Sequence, residues 1–159
     1  MDILYRKATS DDCLALAELK GRVWNTTYKG IYSDETLQNY DVAKNQSIFE
    51  SIVANPAIEL YLAECNGTPV GLMTCGKPFR PFMHYEQEIG LLYILKSYQR
   101  RGIGRGFFEL ARQQVKNSGH REFLVSVNKL NKPAIAFYLA MGGQVVLTDE
   151  KQMKIGYCV

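Results

Sequence analysis

The stretch Glu88-Ile89-Gly90-Leu91-Leu92-Tyr93-Ile94-Leu95-Lys96-Ser97-Tyr98-Gln99-Arg100-Arg101-Gly102-Ile103-Gly104-Arg105-Gly106 decides how the chain folds. Its first half is apolar and short enough for a buried strand. Its second half is a basic turn with glycines at 102 and 104. Gly104, Phe107, Phe108, Ala111 and Val115 then recur at steps of three and four, a helical period. The first N–H groups of a helix have no intrahelical partner and carry partial positive charge. Gly102 and Gly104 offer no side chain to block an approaching anion. Arg100, Arg101 and Arg105 add full charges. The turn reads as a pyrophosphate cradle or as an ordinary strand–turn–helix. It does not match the Gly-x-x-x-x-Gly-Lys-Ser/Thr phosphate loop, and no repeated βαβ units surround it.

The rest of the chain bounds the alternatives. At 159 residues it is long enough for one domain with a sizeable core. The net charge of +3 is too slight to argue for a nucleic-acid partner. Basic residues near one turn suit an acidic cofactor instead. Cys13, Cys65, Cys75 and Cys158 are scattered without metal-ligand spacing, so no metal site is expected, and reduced thiols in the cytoplasm are. No run is apolar enough to span a membrane, and Met1-Asp2-Ile3-Leu4-Tyr5-Arg6 has no signal-peptide character.

Outward from the central stretch, residues 2–8 read as a strand and Ser10 opens a helix with an apolar face at Leu16, Leu19, Val23 and Trp24. Ser33 caps a short helix. Ile48, Phe49, Ile52 and Val53 mark another helical face that Asn55-Pro56 stops. Strands 57–65 and 69–76 flank Asn66-Gly67, a strong hairpin signal. Residues 77–85 carry two prolines and read as a loop before strand 87–95. The helix over about 102–117 stops at Gly119, and strand 121–127 follows. Asn131 caps a helix with Pro133 in its first turn. Two last strands, roughly 144–149 and 151–158, pair around Asp149-Glu150. The order is β-α-α-β-β-β-α-β-α-β-β. The helical crossover sets strand 121–127 parallel to strand 87–95. The fold class is α/β, a single domain over 1–159 with a central, mostly antiparallel mixed sheet flanked by helices.

Gln99-Arg100-Arg101-Gly102-Ile103-Gly104 resembles the Gln/Arg-x-x-Gly-x-Gly/Ala signature of the GCN5-related (GNAT) acetyltransferases. Asn131-Lys132-Pro133-Ala134-Ile135-Ala136-Phe137-Tyr138-Leu139-Ala140-Met141-Gly142 resembles that superfamily's second recurrent stretch, Asn-x-x-Ala-x-x-Phe-Tyr-x-x-x-Gly. Trp24, Thr27 and Tyr28 form a Trp-x-x-Thr-Tyr pattern similar to many small bacterial members. The resemblance covers nearly the whole chain, and it implies the GNAT fold and acetyl-coenzyme A as cosubstrate. It implies that Gln99, Arg100, Arg101, Gly102, Ile103, Gly104 and Arg105 bind the pyrophosphate. It also implies that Leu92, Tyr93 and Ile94 pair with the pantetheine arm, beside a local splay of the sheet. Asn131 would contact the pantetheine or phosphate region, and Tyr138 would lie near the thioester sulfur.

The chemistry demands particular parts. An alkylamine with a pKa of about 10 is protonated at neutral pH and cannot attack until a base takes its proton. The thioester carbonyl becomes an oxyanion that needs a donor, here expected from a backbone N–H on the central strand. The departing thiolate needs an acid. Glu88 stands fourteen residues before Gly102, the spacing of the glutamate base in the histone-acetyltransferase branch, and is the expected base. Tyr138 is the expected acid. Residues two apart on a strand share a face, so Glu86 and Glu88 are expected to point together toward the acceptor. Trp24 and Tyr28 are expected to wall it, and His84 to lie on a surface loop. Two carboxylates there favour a cationic acceptor. The expected function is direct transfer of acetyl to a primary amine: a polyamine or other small amine, an amino acid, an aminoglycoside or a peptide amino group. The alternatives are a non-catalytic acyl-coenzyme A sensor and a generic nucleotide-binding protein. A homodimer paired through the C-terminal strands is compatible with the pattern.

Overall fold

The computed structural model describes Met1–Val159. Its strands are Ile3–Lys7 (β1), Ile58–Cys65 (β2), Thr68–Gly76 (β3), Glu88–Ile94 (β4), Glu122–Asn128 (β5), Gln144–Thr148 (β6) and Gln152–Cys158 (β7). Its helices are Cys13–Thr27 (α1), Asp34–Gln38 (α2), Val42–Ala54 (α3), Ile103–Asn117 (α4) and Lys132–Ala140 (α5). The strands form one mixed sheet in the order β1-β2-β3-β4-β5-β7-β6. The chain packs as two compact units, residues 1–74 with 91–107 and residues 75–90 with 108–159.

In the first unit β1 runs antiparallel to β2, from Ile3↔Cys65 to Lys7↔Tyr61. Asn66 and Gly67 take φ of 52° and 77°, the left-handed pair that a tight hairpin turn into β3 requires. The middle of β2 is buried on both faces, as a continuous apolar run predicts for an interior strand. Helix α1 buries Cys13, Leu16, Ala17, Leu19 and Val23, and packs against α3, which buries Phe49 and Ile52. Full burial of each large apolar side chain stabilises by about 1.5–3 kcal/mol. Gly21 lets the Tyr40 ring approach α1, since a Cβ there would lie 2.6 Å from the ring.

Polar side chains fix where these helices start. Ser33 Oγ accepts from Thr36 N at 3.1 Å, as expected, and Asp41 caps α3 by accepting from Lys44 N at 3.0 Å. Asp12 closes a capping box with Thr9 and accepts two N–H groups of Arg6 at 2.9 Å each. Arg6 also donates to Glu64 at 2.7 Å, which ties β1, β2 and the entry to α1 together.

Three helices lie between β1 and β2, the short one expected after Ser33 among them, although the expected order counted two. Ser10–Asp12 is a 3-10 turn, and α1 proper begins at Cys13. A second 3-10 turn, Lys96–Tyr98, separates β4 from the glycine turn. One-turn segments carry too few periodic positions to be read from apolar spacing.

In the second unit β4 runs parallel to β5 through Glu88↔Leu124 and Ile89↔Val125, as the crossover rule requires. β7 lies antiparallel to both β5 and β6. Phe123 and Tyr157 stack at 4.8 Å with an 8° interplanar angle, and Phe108 meets Tyr157 edge-on at 4.8 Å. The Tyr157 hydroxyl donates to the Tyr138 carbonyl at 2.6 Å. Arg112 donates to the Met141 carbonyl at 2.8 Å, satisfying a group at the end of α5. Gly119 and Gly142 take φ of 84° and 96° just past α4 and α5, the stops expected of glycine. No helix is long and apolar enough to cross a membrane. No disulfide joins the four cysteines, of which Cys13 and Cys75 are buried and Cys158 is exposed.

Candidate active site

The glycine turn belongs to the first unit. Strand β4 leaves the sheet where Leu95 N donates to Val70 O at 2.9 Å. Gln99 folds its side chain back and donates to the Ile94 carbonyl at 3.0 Å, bracing the turn. Arg100 and Gly102 then take φ of 60° and 88°. Left-handed residues in a turn generate the concave run of N–H groups that receives anions. A Cβ on Gly102 would meet nothing within 4 Å, so the space above it is open. Helix α4 starts directly after, with Gly106 N donating to Gly102 O at 3.0 Å. Of the three arginines, Arg101 lies 5.5 Å from the Tyr98 ring and 3.6 Å from the Met1 sulfur. Arg100 and Arg105 are exposed.

Leu92, Tyr93 and Ile94 are half-buried on β4. The Tyr93 hydroxyl accepts from Trp24 Nε1 at 3.4 Å, and burial pushes its pKa up. Trp24 lies 6.0 Å from Tyr28, 5.2 Å from Tyr32 and 5.5 Å from Tyr40, and Tyr28 stacks on Tyr32 at 4.6 Å. Lys20 reaches into this cluster. Its Nζ sits 5.2 Å from the Trp24 ring and 5.9 Å from the Tyr93 ring, and donates to Asn45 Oδ1 at 2.8 Å. Burial pushes the Lys20 pKa down, toward the neutral amine. Trp24 and Tyr28 are therefore brought together as expected. Lys20, Tyr32 and Tyr40 are additions. Lys20 precedes Trp24 by four residues on α1, a spacing that itself signals a shared helix face.

Glu86, Glu88, Asn131 and Tyr138 belong to the second unit. Glu88 is only 8% exposed. Its Oε1 accepts from Phe79 N at 2.7 Å. Burial raises its pKa, and the Phe79 N–H and the Lys154 charge hold that rise back. Glu86 behaves differently. Its side chain is 75% exposed, and Oε2 lies 2.8 Å from His120 Nε2. The expected shared face fails because β4 begins at Glu88, so strand alternation does not extend to Glu86. His84 lies on the exposed loop, as expected, with Nε2 2.9 Å from Glu122. Glu86 and His120, with Lys77, Pro78, Pro81 and Tyr85, line a cavity of about 350 Å³.

Asn131 is 8% exposed and caps α5, its Oδ1 accepting from Ala134 N at 3.3 Å. Tyr138 is 7% exposed, with its ring 5.5 Å from Phe137 and 6.5 Å from Phe108. The two units thus contain an open turn at a helix start, an aromatic cluster holding an amine, and a buried carboxylate of raised pKa. Those are the parts for binding an anionic cofactor and for taking a proton.

Comparison with known proteins bears on all of this. The model of the acetyltransferase (GNAT) family matches residues 22–142. A protein named spermidine N(1)-acetyltransferase, from Thermoplasma acidophilum, is 25% identical over 154 residues, covering 94% of this chain and 92% of that protein. Among solved structures, a PaiA N-acetyltransferase from Thermoplasma acidophilum in complex with coenzyme A superposes with a TM-score of 0.88 at 24% identity over all of both chains. The yncA acetyltransferase from Salmonella typhimurium, with acetyl-CoA, superposes with a TM-score of 0.74 at 18% identity over 98% of this chain and 93% of that one.

Proposed function

Because the chain belongs to the acetyltransferase (GNAT) family, we propose that it transfers the acetyl group of acetyl-coenzyme A directly to a primary amine, within a ternary complex. The open glycine turn carries this reading: Gly102, at φ 88° with no atom within 4 Å of a Cβ, leads straight into α4. In it, Gln99 through Arg105 hold the pyrophosphate, Leu92, Tyr93 and Ile94 receive the pantetheine arm, and Asn131 contacts the same cofactor. The coenzyme A of the superposable Thermoplasma acidophilum structure and the acetyl-CoA of the Salmonella typhimurium one support that choice of cosubstrate.

Glu88 serves as the base, directly or through water. Its raised pKa makes it a stronger proton acceptor than an ordinary carboxylate. Tyr138 protonates the departing thiolate. A polyamine is the favoured acceptor, supported by the name of the Thermoplasma acidophilum relative. Trp24 and Tyr28 supply aromatic faces for an ammonium, and Glu86 supplies an exposed carboxylate. Four cysteines not joined in disulfides suit the cytoplasm.

Calorimetry with acetyl-coenzyme A, coenzyme A, ATP and NAD tests the cofactor half. A panel of polyamines, amino acids, aminoglycosides and peptides, read by thiol release, tests the acceptor half. Selective binding of the acetylated cofactor and turnover of spermidine or spermine are expected. Binding without turnover on any amine would favour a sensor, and absence of binding by folded protein would overturn the reading.

A further inference from the structure

On strand β4 the Leu91 N–H finds a side chain of β3. Leu95 N donates to Val70 O at 2.9 Å. Stepping four residues back along β4 and four forward along β3, an antiparallel ladder would bring Leu91 N to the main-chain carbonyl of Thr74. Leu91 N donates to the Thr74 hydroxyl, at 2.9 Å. Side chains stand roughly perpendicular to a sheet, so an N–H that finds one has turned out of the ladder's plane. Thr74 is 1% exposed, where a lost hydrogen-bond partner is costly. The hydroxyl therefore both permits and fixes the turn of the Leu91 peptide.

This turn lies at a significant position on β4. Successive N–H groups of a strand point to opposite edges, so with Leu91 N held on the β3 side, Leu92 N faces the other edge. The recorded pairing of β4 with β5 reaches Ile89↔Val125, two residues earlier. Gly71, near the same part of β4, is tightly confined. A Cβ there would lie 3.1 Å from both the Tyr93 carbonyl and the Phe107 ring. The strand is thus backed closely at Tyr93 and turned at Leu91, with Leu92 between.

We infer that Thr74 is a positioning residue for the acetyl transfer: by accepting Leu91 N through its hydroxyl, it aims the Leu92 N–H at the thioester carbonyl oxygen. It rests on the acetyltransferase function proposed above. Thr74 touches neither substrate; it acts through the Leu91–Leu92 peptide. As the amine attacks, the N–C bond forms and the carbonyl oxygen gains charge. Leu92 N–H stabilises that charge until the C–S bond breaks and the thiolate leaves.

Thr74→Val keeps the shape of the side chain and removes the acceptor, whereas Thr74→Ser keeps the acceptor. The test measures coenzyme A affinity by calorimetry, kcat at saturating cosubstrate and acceptor, and thermal stability, for both variants and the parent. Thr74→Val is expected to lower kcat by about 10- to 100-fold, the scale of a small misplacement of a reacting group, with coenzyme A affinity within about threefold. Thr74→Ser is expected to restore kcat to within about twofold of the parent, consistent with retention of the bond. Unchanged kcat in a folded Thr74→Val protein overturns the inference, as does a loss of affinity and kcat together that Thr74→Ser does not rescue. If Thr74→Val does not fold, Thr74→Cys decides: a thiol is a weak acceptor, so parental kcat overturns the inference and a reduced kcat restored by Ser supports it. A parent protein that fails to bind acetyl-coenzyme A overturns the proposed function itself, an outcome distinct from all of these.

Discussion

Tyr5 occupies the space that Gly106 leaves. A Cβ on Gly106 would overlap the Tyr5 hydroxyl, and that hydroxyl donates to the Ile103 carbonyl at 3.2 Å. The Tyr5 ring also packs edge-on against Phe107 at 5.2 Å. A residue near the start of the chain therefore fixes the first turn of α4, next to the glycine turn. Gly106→Ala should force Tyr5 or the helix start to move and cost about 1–3 kcal/mol, the range for overpacking. Coenzyme A affinity should fall as well. Removing only the hydroxyl, with Tyr5→Phe, should cost about 1 kcal/mol. Denaturant melts and calorimetry on the two variants check both.

Gly102 gives the opposite expectation for packing. Its φ of 88° strains any other residue, but nothing stands near its missing Cβ. Gly102→Ala should destabilise by about 1–2 kcal/mol through backbone strain alone. Gly102→Glu adds a negative charge at the proposed pyrophosphate site and should weaken acetyl-coenzyme A binding by at least about tenfold, 1.4 kcal/mol on the affinity scale. Equal loss of affinity in both variants would count against the anion site.

As the proposed base, Glu88 should set a pH dependence of activity and, with the reverse trend, of stability. Burial raises its folded-state pKa above the ordinary 4.5. If it is the base, kcat/KM should rise with pH through that raised value, and Glu88→Gln should remove the limb and lower the rate by about 100- to 10,000-fold. For stability, a raised pKa means that the folded state holds the proton more tightly. The contribution is full below pH 4.5 and is lost as pH climbs through the folded value. Glu88→Gln should therefore melt higher than the parent at pH 8, with the difference shrinking toward pH 4. Melts across that range and a pH–rate profile read the two effects separately.

Asp12 should behave in the opposite sense. Hydrogen bonds from Arg6 hold its carboxyl at about 2, below the ordinary 3.8. Its stabilisation is therefore present above pH 3.8 and is lost as pH falls through 2. Asp12→Asn should cost about 1–2 kcal/mol at neutral pH, allowing for solvent screening at the partly exposed Arg6. The cost should vanish near pH 2, which acid titration of parent and variant would show.

Asn131 separates a helix cap from a cofactor contact. Asn131→Ala should lower stability by about 1 kcal/mol, and Asn131→Ser should keep most of it, because a hydroxyl also caps. If Asn131 also contacts coenzyme A, the serine variant should retain its melting temperature yet bind the cofactor more weakly. Full affinity in that variant would leave Asn131 as a cap alone.

Much of this architecture was legible in local signals. Asn66-Gly67 specified its hairpin, Ser33 and Asn131 their helices, and the glycine turn its place after a buried strand. Those features depend on backbone preferences a few residues wide. What was not legible depends on chain segments far apart in sequence. Nothing near Glu86 announces His120, thirty-four residues on, nor does Thr74 announce that its hydroxyl takes the Leu91 N–H. Lys20 lies between these cases. Its spacing from Trp24 was visible on α1, whereas Tyr93 and Asn45 join it only in the fold.

The placement of Lys20 also bears on how this fold diversifies. The rings of Trp24, Tyr28, Tyr32 and Tyr93 contact one another, while the amine among them hangs on one flexible stem. Replacing that stem with an apolar or acidic one would change the electrical character of the cluster without rebuilding it. On the proposed function, acceptor preference should then be separable from turnover by mutation: a single codon in the first helix would retune which amines are welcomed, while the glycine turn and β4 stay as they are.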